Sequence, residues 1–269
     1  MNNMLTANPW FPGLRQDATA PVKLICFSHA GGTPSVYRDW PWYLADRVQV
    51  VPVLLPGRGL RQREKPYRAI EPLVGDVTAE LVAAGLADNY ALFGHSMGAL
   101  VAYEVACELR RLGQPEPLHL FVSGSKAPHL YKSGMTDTRL SYMLPFDQLW
   151  NSVRDLGGTG ASEAMGAAYF ERGASILRAD LQICDTYQWV PRRPLRCPMT
   201  AYSAAEDTVA PAYEVEGWRS YTYGSLIRRH LPGNHFFVIG ESRFQLLCDV
   251  RAELDRLSAD RELEYSARN

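Results

Sequence analysis

Short apolar runs alternate with helical patterns along this chain, and this alternation constrains its fold more than any other feature. Runs typical of β-strands lie at 22–28, 48–55, 90–94, 118–124, 199–203 and 225–231. The first four are mostly apolar on both faces, as expected of strands covered by helices on each side. Patterns typical of helices lie at 71–86, 99–112 and 243–257. The sequence therefore predicts an α/β protein with a mostly parallel, doubly wound sheet.

One long segment interrupts this alternation. Residues from about 128 to 190 contain no convincing strand, and "LPFDQLWNSVRDLGG" and "AAYFERGASILRADLQICDTYQW" within them have helical patterns. We interpret the segment as a helical lid inserted between two strands on the active face; a packing excursion with no role in access is the alternative. The chain is thus expected to form a single domain, residues 1–269, with one lid insertion.

Composition narrows the classes of function. The 28 basic and 29 acidic residues give a net charge of −1, so we expect neither nucleic acid nor a membrane as partner. We find no apolar run of the roughly 18 residues that a transmembrane helix needs and no secretory signal, which predicts a cytoplasmic protein. The five scattered cysteines contain no CxxC pair and are expected to be buried thiols.

The stretch "LFGHSMGAL" at 92–100 carries the first chemical signal. Gly94-His95-Ser96-Met97-Gly98 fits the G-x-S-x-G pattern, in which a sharp strand-to-helix turn presents a serine above the sheet. A bare match also occurs by chance in ordinary loops. Here an apolar strand precedes the turn and a helical pattern follows it, which is the context that the motif requires. Ser96 is therefore predicted to be a nucleophile.

A serine hydroxyl is a weak nucleophile and needs a base, usually a histidine oriented by a carboxylate. In this kind of sheet the chain order is serine, acid, histidine. His230 lies within a predicted strand, whereas His235 lies in the turn "LPGNHFF" just beyond it. A loop at the carboxyl end of a strand can bring an imidazole over the serine, so we predict His235 as the base.

The acid is expected after the strand at 199–203, where "AAEDTVAP" offers Glu206 and Asp207. We favour Asp207 because a shorter side chain is held more rigidly, and Glu206 stays open. The backbone N–H groups that stabilise an oxyanion are expected from Met97, directly after the nucleophile, and from the glycine-rich loop "SHAGGTP" after the first strand. Ala30 is the candidate donor in that loop, although such loops also serve as simple turns.

Several longer segments make the chain recognisable: "CFSHAGGTPSVYRDW", "LLPGRGLRQREKP", "LFGHSMGALVAYEVA", "LPFDQLWNSVRDLGG", "ILRADLQICDTYQW" and "LPGNHFF". In this order they resemble the type II thioesterases, stand-alone α/β-hydrolases that accompany nonribosomal peptide and polyketide assembly lines. The resemblance implies hydrolysis of unwanted acyl groups from the 4′-phosphopantetheine arm of carrier proteins, with a lid over the acyl chamber. It places the triad on Ser96, Asp207 and His235. Ser28 replaces a usual proline, and "SAAED" replaces a usual glycine–aspartate run.

The leading interpretation is an editing thioesterase that forms an acyl-enzyme, needs no metal or cofactor, and acts as a monomer on acylated carrier proteins. A general serine esterase or an acyltransferase would use the same residues. A non-catalytic relative that only binds a carrier is the third alternative, and the intact serine, acid and histidine argue against it.

A basic run follows the second strand. Residues 56–68 contain Glu64 as their single acid and five basic residues: Arg58, Arg61, Arg63, Lys65 and Arg68. Carrier proteins are generally acidic, so we interpret this cluster as a surface that steers the carrier and pairs with its phosphate. A solvated loop whose arginines pair with nearby acids is the alternative.

Overall fold

A six-stranded parallel sheet forms the centre of the molecule in the computed structural model, which describes residues 8–15, 22–44, 48–131, 141–157 and 166–268. Its strands are β1 (Val22–Phe27), β2 (Val48–Pro52), β3 (Tyr90–His95), β4 (Leu120–Ser123), β5 (Met199–Ala204) and β6 (Leu226–Leu231). All six predicted strands are confirmed, with ends that differ by a few residues.

Helices cover both faces of this sheet. They are α1 (Trp40–Leu44), α2 (Ile70–Ala83), α3 (Met97–Arg111), α4 (Phe146–Asp155), α5 (Gly166–Thr186), α6 (Ala212–Val215) and α7 (Arg243–Arg268). The three helices predicted outside the insertion are confirmed as α2, α3 and α7. The last of them runs on to Arg268, beyond the predicted end at residue 257. The predicted α/β class is therefore confirmed.

Alternation along the strands produces two apolar layers. In β1, Leu24 and Cys26 belong to the layer that contains α1 and α7, while Ile25 and Phe27 belong to the layer that contains α2 and α3. Both faces of a central strand are thus buried, which explains why its sequence is apolar throughout and does not alternate between apolar and polar residues. None of the helices in the described ranges is long and apolar enough to cross a membrane.

The cysteines are only partly as predicted. All five are free thiols, and Cys26, Cys107 and Cys197 are buried. Cys184 is half-buried and Cys248 is exposed, so the prediction of five buried thiols was wrong for these two. Both lie on long helices, α5 and α7, whose period brings some residues toward the surface, and Cys184 still packs partly against the core.

The strand order β2-β1-β3-β4-β5-β6 determines where a site can form. The chain passes from β1 to β2 on one side and then returns to place β3 on the other side of β1. Such a reversal opens a crevice at the carboxyl ends of β1 and β3, where open α/β sheets bind ligands. The glycine-rich loop at 28–34 and Ser96 both follow these strand ends.

The helices α4 and α5 lie between β4 and β5 in the chain, within the segment that we interpret as a helical insertion. Leu149, Leu177 and Leu181 make a small apolar cluster of their own, and Ala30 of the glycine-rich loop packs against it. The insertion therefore has its own core and rests on the active face. Residues 132–140 and 158–165 lie outside the described part of the chain.

Candidate active site

Ser96 lies at the apex of a strained turn between β3 and α3. Its φ of 56° and ψ of −122° lie where few residues other than glycine are found. A Cβ atom at Gly94 would overlap the carbonyl of Gly98, and one at Gly98 would overlap the carbonyl of Phe27. Both glycines are therefore required, because α3 begins in direct contact with the ends of β3 and β1. Strain of this kind is typical of functional sites.

The three residues favoured from sequence form one hydrogen-bonded chain. His235 Nε2 lies 3.0 Å from Ser96 Oγ, and His235 Nδ1 lies 2.9 Å from Asp207 Oδ2. Ser96 follows β3, Asp207 follows β5 and His235 follows β6, so the parallel sheet brings the three together at its carboxyl edge. His235 and Asp207 are both buried.

Asp207 is held as an ionised carboxylate. Its other oxygen, Oδ1, accepts the N–H groups of Val209 at 2.9 Å and Ala210 at 3.0 Å. Burial would raise the pKa of Asp207, but the hydrogen bond and charge of His235 and the two backbone donors together bring that pKa below its ordinary value. The carboxylate can therefore orient the His235 ring and stabilise its protonated form.

The alternatives that the sequence left open lie elsewhere. Glu206 is exposed, and its backbone N–H donates to the carbonyl of Gly233 at 2.9 Å. His230 is also exposed on β6, where its Nδ1 lies 2.9 Å from Ser203 Oγ. The structure thus brings Asp207, and not Glu206, into contact with His235.

His95 was not assigned a role from the sequence. Its Nε2 lies 2.8 Å from the backbone oxygen of His235, and its Nδ1 lies 2.9 Å from Ser123 Oγ. Because a carbonyl only accepts, Nε2 carries the proton and Nδ1 accepts from the serine hydroxyl. Burial lowers the pKa of His95 well below its ordinary value, and the nearby His235 and His29 lower it further. A neutral His95 therefore fixes the loop that carries His235.

Local sequence contains no signal for this contact. His95 reaches a carbonyl 140 residues away, and its second partner lies at the end of β4. Such a link follows only from the strand order.

The candidate oxyanion donors also lie at this edge. Within the described residues, neither the N–H of Ala30 nor that of Met97 has a hydrogen-bond acceptor. Met97 is the first residue of α3, where backbone N–H groups lack intrahelical partners and the helix dipole favours negative charge. A tight turn in which Gly32 N–H donates to His29 O at 2.9 Å shapes the loop around Ala30.

The insertion touches both loops that flank the site. On α5, Asp180 Oδ2 accepts the N–H of Gly31 at 2.7 Å. Just after α4, Gly157 lies so close to Asn234 that a Cβ atom at Gly157 would overlap the Asn234 side chain. One contact lies beside Ala30 and the other beside His235, so the insertion contacts loops on two sides of the site.

Two of the five basic residues of the run are internal, which corrects the interpretation of the whole cluster as a docking surface. Arg58 is buried and forms a bidentate ion pair with Asp180. Arg61 is buried, bonds to Glu64 and lies 3.9 Å over the ring of Trp10. Burial of these arginines follows from loop packing that the sequence does not reveal. The basic residues of the run that remain exposed are Arg63, Lys65 and Arg68.

A parallel sheet with a serine turn after β3, a carboxylate after β5 and a histidine after β6 defines the class of α/β-hydrolases. Comparison with known proteins then gives the family. A family model described as "Thioesterase domain" matches residues 22–254. The chain therefore belongs to the thioesterase family and is a thioester hydrolase, as predicted.

Three similar proteins illustrate the match. The RedJ thioesterase from the prodiginine biosynthetic pathway in Streptomyces coelicolor is 55% identical, with a TM-score of 0.84 over 88% of this chain and 91% of that one. The type II thioesterase BorB from the borrelidin biosynthetic cluster is 32% identical, with a TM-score of 0.81 over 92% and 98% of the two chains. The gramicidin S biosynthesis protein GrsT of Aneurinibacillus migulanus is 31% identical over 89% of this chain and 91% of its own.

Proposed function

We propose that this enzyme is an editing thioesterase, which removes aberrant or stalled acyl groups from the 4′-phosphopantetheine arm of carrier proteins in a nonribosomal peptide or polyketide assembly line. The observation that carries the proposal is the hydrogen-bonded chain of Ser96, His235 and Asp207 beneath a helical insertion. Support for the setting comes from the relatives, since RedJ, BorB and GrsT are each named for a biosynthetic pathway or cluster.

The proposed reaction starts with an attack by Ser96 Oγ on the thioester carbonyl carbon, while His235 Nε2 takes the hydroxyl proton. The tetrahedral oxyanion accepts hydrogen bonds from the N–H groups of Ala30 and Met97. The carbon–sulfur bond then breaks, and His235 returns the proton to the departing pantetheine thiol. Asp207 stays ionised and stabilises the imidazolium formed between these steps.

The second half of the reaction frees the acid. Water enters where the thiol left, and His235 takes one of its protons as the water oxygen attacks the acyl-enzyme carbonyl. The same donors hold the second oxyanion. Its collapse breaks the ester bond to Ser96 Oγ, which receives the proton back from His235. The products are a free carboxylic acid and a carrier with a free thiol, which can be loaded again.

The insertion is proposed to act as the lid of this site within a single domain. It contacts Gly31 and Asn234, one residue in each site loop, and on this proposal α4 or α5 shifts to let an acylated arm reach Ser96. We further propose that the enzyme works as a monomer in the cytoplasm, where carrier proteins are loaded and where its free thiols remain reduced.

The test compares three substrates that carry the same acyl group: thioesters of a phosphopantetheinylated carrier protein and of N-acetylcysteamine, and the ester of p-nitrophenol. We expect release of free acid from both thioesters, with the higher kcat/KM on the carrier, and no release by Ser96→Ala. Hydrolysis of the nitrophenyl ester that exceeds that of either thioester by more than the difference between their uncatalysed rates would indicate a general esterase. Transfer of the acyl group to an added thiol or amine in place of water would indicate an acyltransferase.

A further inference from the structure

Asp180, on α5 of the insertion, is the most fully bonded buried carboxylate outside the Ser96–His235–Asp207 chain. It is 1% exposed, and Arg58, its ion-pair partner, is 4% exposed. Asp180 Oδ2 accepts the N–H of Gly31 at 2.7 Å and Arg58 Nη1 at 2.8 Å, while Oδ1 accepts Arg58 Nη2 at 2.7 Å. Three donors, two of them from one guanidinium, therefore satisfy the hydrogen-bonding capacity of this buried carboxylate.

These bonds hold the glycine-rich loop on both sides. Asp180 binds the N–H of Gly31, while Arg58 Nη1 donates to the carbonyl of Gly32 at 3.0 Å. Gly31 has a φ of 75°, a conformation that glycine adopts without strain. The peptide planes that follow Ala30 are therefore held by this ion pair together with the turn from Gly32 N–H to His29 O and the bond from His29 Nδ1 to the carbonyl of Ala30.

Apolar contacts on the same face of α5 also hold the glycine-rich loop. Leu177 lies one turn before Asp180 and would touch a Cβ atom placed at Gly31, while the cluster that contains Leu177 packs against Ala30. Asp180 itself makes its hydrogen bonds to Gly31 and Arg58 among the described residues, and none of them reaches Ser96, His235 or Asp207. The hydrogen bonds of Asp180 therefore link it to the site through the loop.

We infer that Asp180 is a positioning residue for the oxyanion hole: it holds the loop so that the N–H of Ala30 points at the developing charge. This inference rests on the proposed function. Because Asp180 belongs to the insertion, the oxyanion hole is complete only while α5 lies against the loop. A shift of α5 that admits substrate also moves the carboxylate of Asp180 away from Gly31 and Arg58. When α5 returns, it covers the site again and restores the geometry of the oxyanion hole.

The decisive variant is Asp180→Asn, which keeps the shape of the side chain and removes its charge. Hydrolysis of an acyl-N-acetylcysteamine thioester is measured together with inhibition by an alkyl trifluoromethyl ketone, whose serine adduct carries an oxyanion. We expect kcat to fall about 10²-fold, the loss typical of a missing oxyanion donor. KM should change by less than about twofold, because the lost interaction forms only in the transition state. Inhibitor affinity should fall in step with kcat/KM.

Glu104→Gln is the matched control. Glu104 is also buried, accepts Arg192 at 2.8 Å and Tyr187 at 2.6 Å, and lies on α3 away from the glycine-rich loop. We expect this variant to retain kcat and inhibitor affinity within about threefold, whatever it loses in thermal stability. If Asp180→Asn does not fold, Arg58→Lys, which keeps the positive charge but loses the bidentate contact, is judged by the same criteria.

Three outcomes overturn the inference: a loss in kcat no larger than that of Glu104→Gln, a rise in KM at unchanged kcat, or unchanged affinity for the trifluoromethyl ketone. An inactive wild-type enzyme would instead contradict the proposed function, so the two failures are distinguishable.

Discussion

At the scale of single residues, the account depends on which carboxylate serves His235. Asp207→Asn should lower kcat about 10⁴-fold, because an amide leaves the imidazole in the wrong tautomer while the fold stays intact. Glu206→Gln is the matched control from the neighbouring position, and its exposed side chain predicts a change of less than about twofold. Steady-state kinetics on an acyl-N-acetylcysteamine thioester measure both. A larger loss of kcat in Glu206→Gln than in Asp207→Asn would assign the role of the acid to Glu206.

His95 gives a second prediction at this scale. In the unfolded chain a histidine takes up a proton below about pH 6.5, whereas the folded protein holds His95 neutral because its pKa lies well below that value. The unfolded state therefore binds more protons, and the free energy of unfolding falls as the pH drops through this range. His95→Gln keeps an N–H donor for the carbonyl of His235 but cannot titrate.

The measurement is urea unfolding of wild type and His95→Gln at pH 8 and pH 5. We expect the variant to lose less free energy of unfolding between the two pH values than the wild type does. Other buried histidines, such as His119, contribute equally to both proteins and cancel in the comparison. Equal losses would mean that His95 is protonated in the folded state or does not control the loop as described.

At the scale of elements, the central question is whether the insertion must move. A Cβ atom at Gly31 would lie 3.5 Å from the Cβ of Leu177, a distance within the range of about 3.5 to 4.5 Å that a disulfide spans. Cysteines at both positions, in a Cys248→Ser background that removes the exposed thiol, would therefore tie α5 to the loop.

The oxidised form of this variant should hydrolyse an acyl-carrier protein at least about tenfold more slowly than its reduced form, because the arm cannot pass a fixed α5. Comparing two redox states of one protein removes the effect of the substitutions themselves. Equal rates, with the disulfide verified by mass spectrometry, would leave the insertion as packing with no role in access.

The elements also show what the sequence can and cannot predict. Strand and helix positions follow from local periodicity, and the site follows from the chain order of Ser96, Asp207 and His235 on a parallel sheet. The pairing of Arg58 with Asp180 joins residues that are 122 positions apart and depends on how α5 rests on the sheet. No local pattern in the sequence therefore predicts it. For the same reason the basic run was taken as one surface, although Arg58 and Arg61 are buried.

At the scale of the whole molecule, a net charge of −1 leaves carrier recognition to local features. Arg63 and Lys65 are exposed on the loop after β2, and their replacement by serine should lower kcat/KM for an acyl-carrier protein severalfold at low salt. The effect should shrink at high salt, because screening weakens interactions between exposed charges. Activity on an acyl-N-acetylcysteamine thioester should stay unchanged. An unchanged kcat/KM for the acyl-carrier protein would mean that the carrier is recognised elsewhere on the enzyme. Equal losses of kcat/KM on both substrates would mean that these two residues support the structure of the loop and do not bind the carrier.

The central claim, that Ser96 carries the acyl group between the carrier and water, is tested most directly by intact-protein mass spectrometry during a single turnover. Wild-type enzyme mixed with an acylated carrier protein should gain the mass of the acyl group on Ser96 as the carrier loses it, and then release free acid. Ser96→Ala should fold normally, show no such adduct and lose about 10⁶-fold in turnover. An adduct on another residue, or sustained hydrolysis by folded Ser96→Ala, would contradict the account.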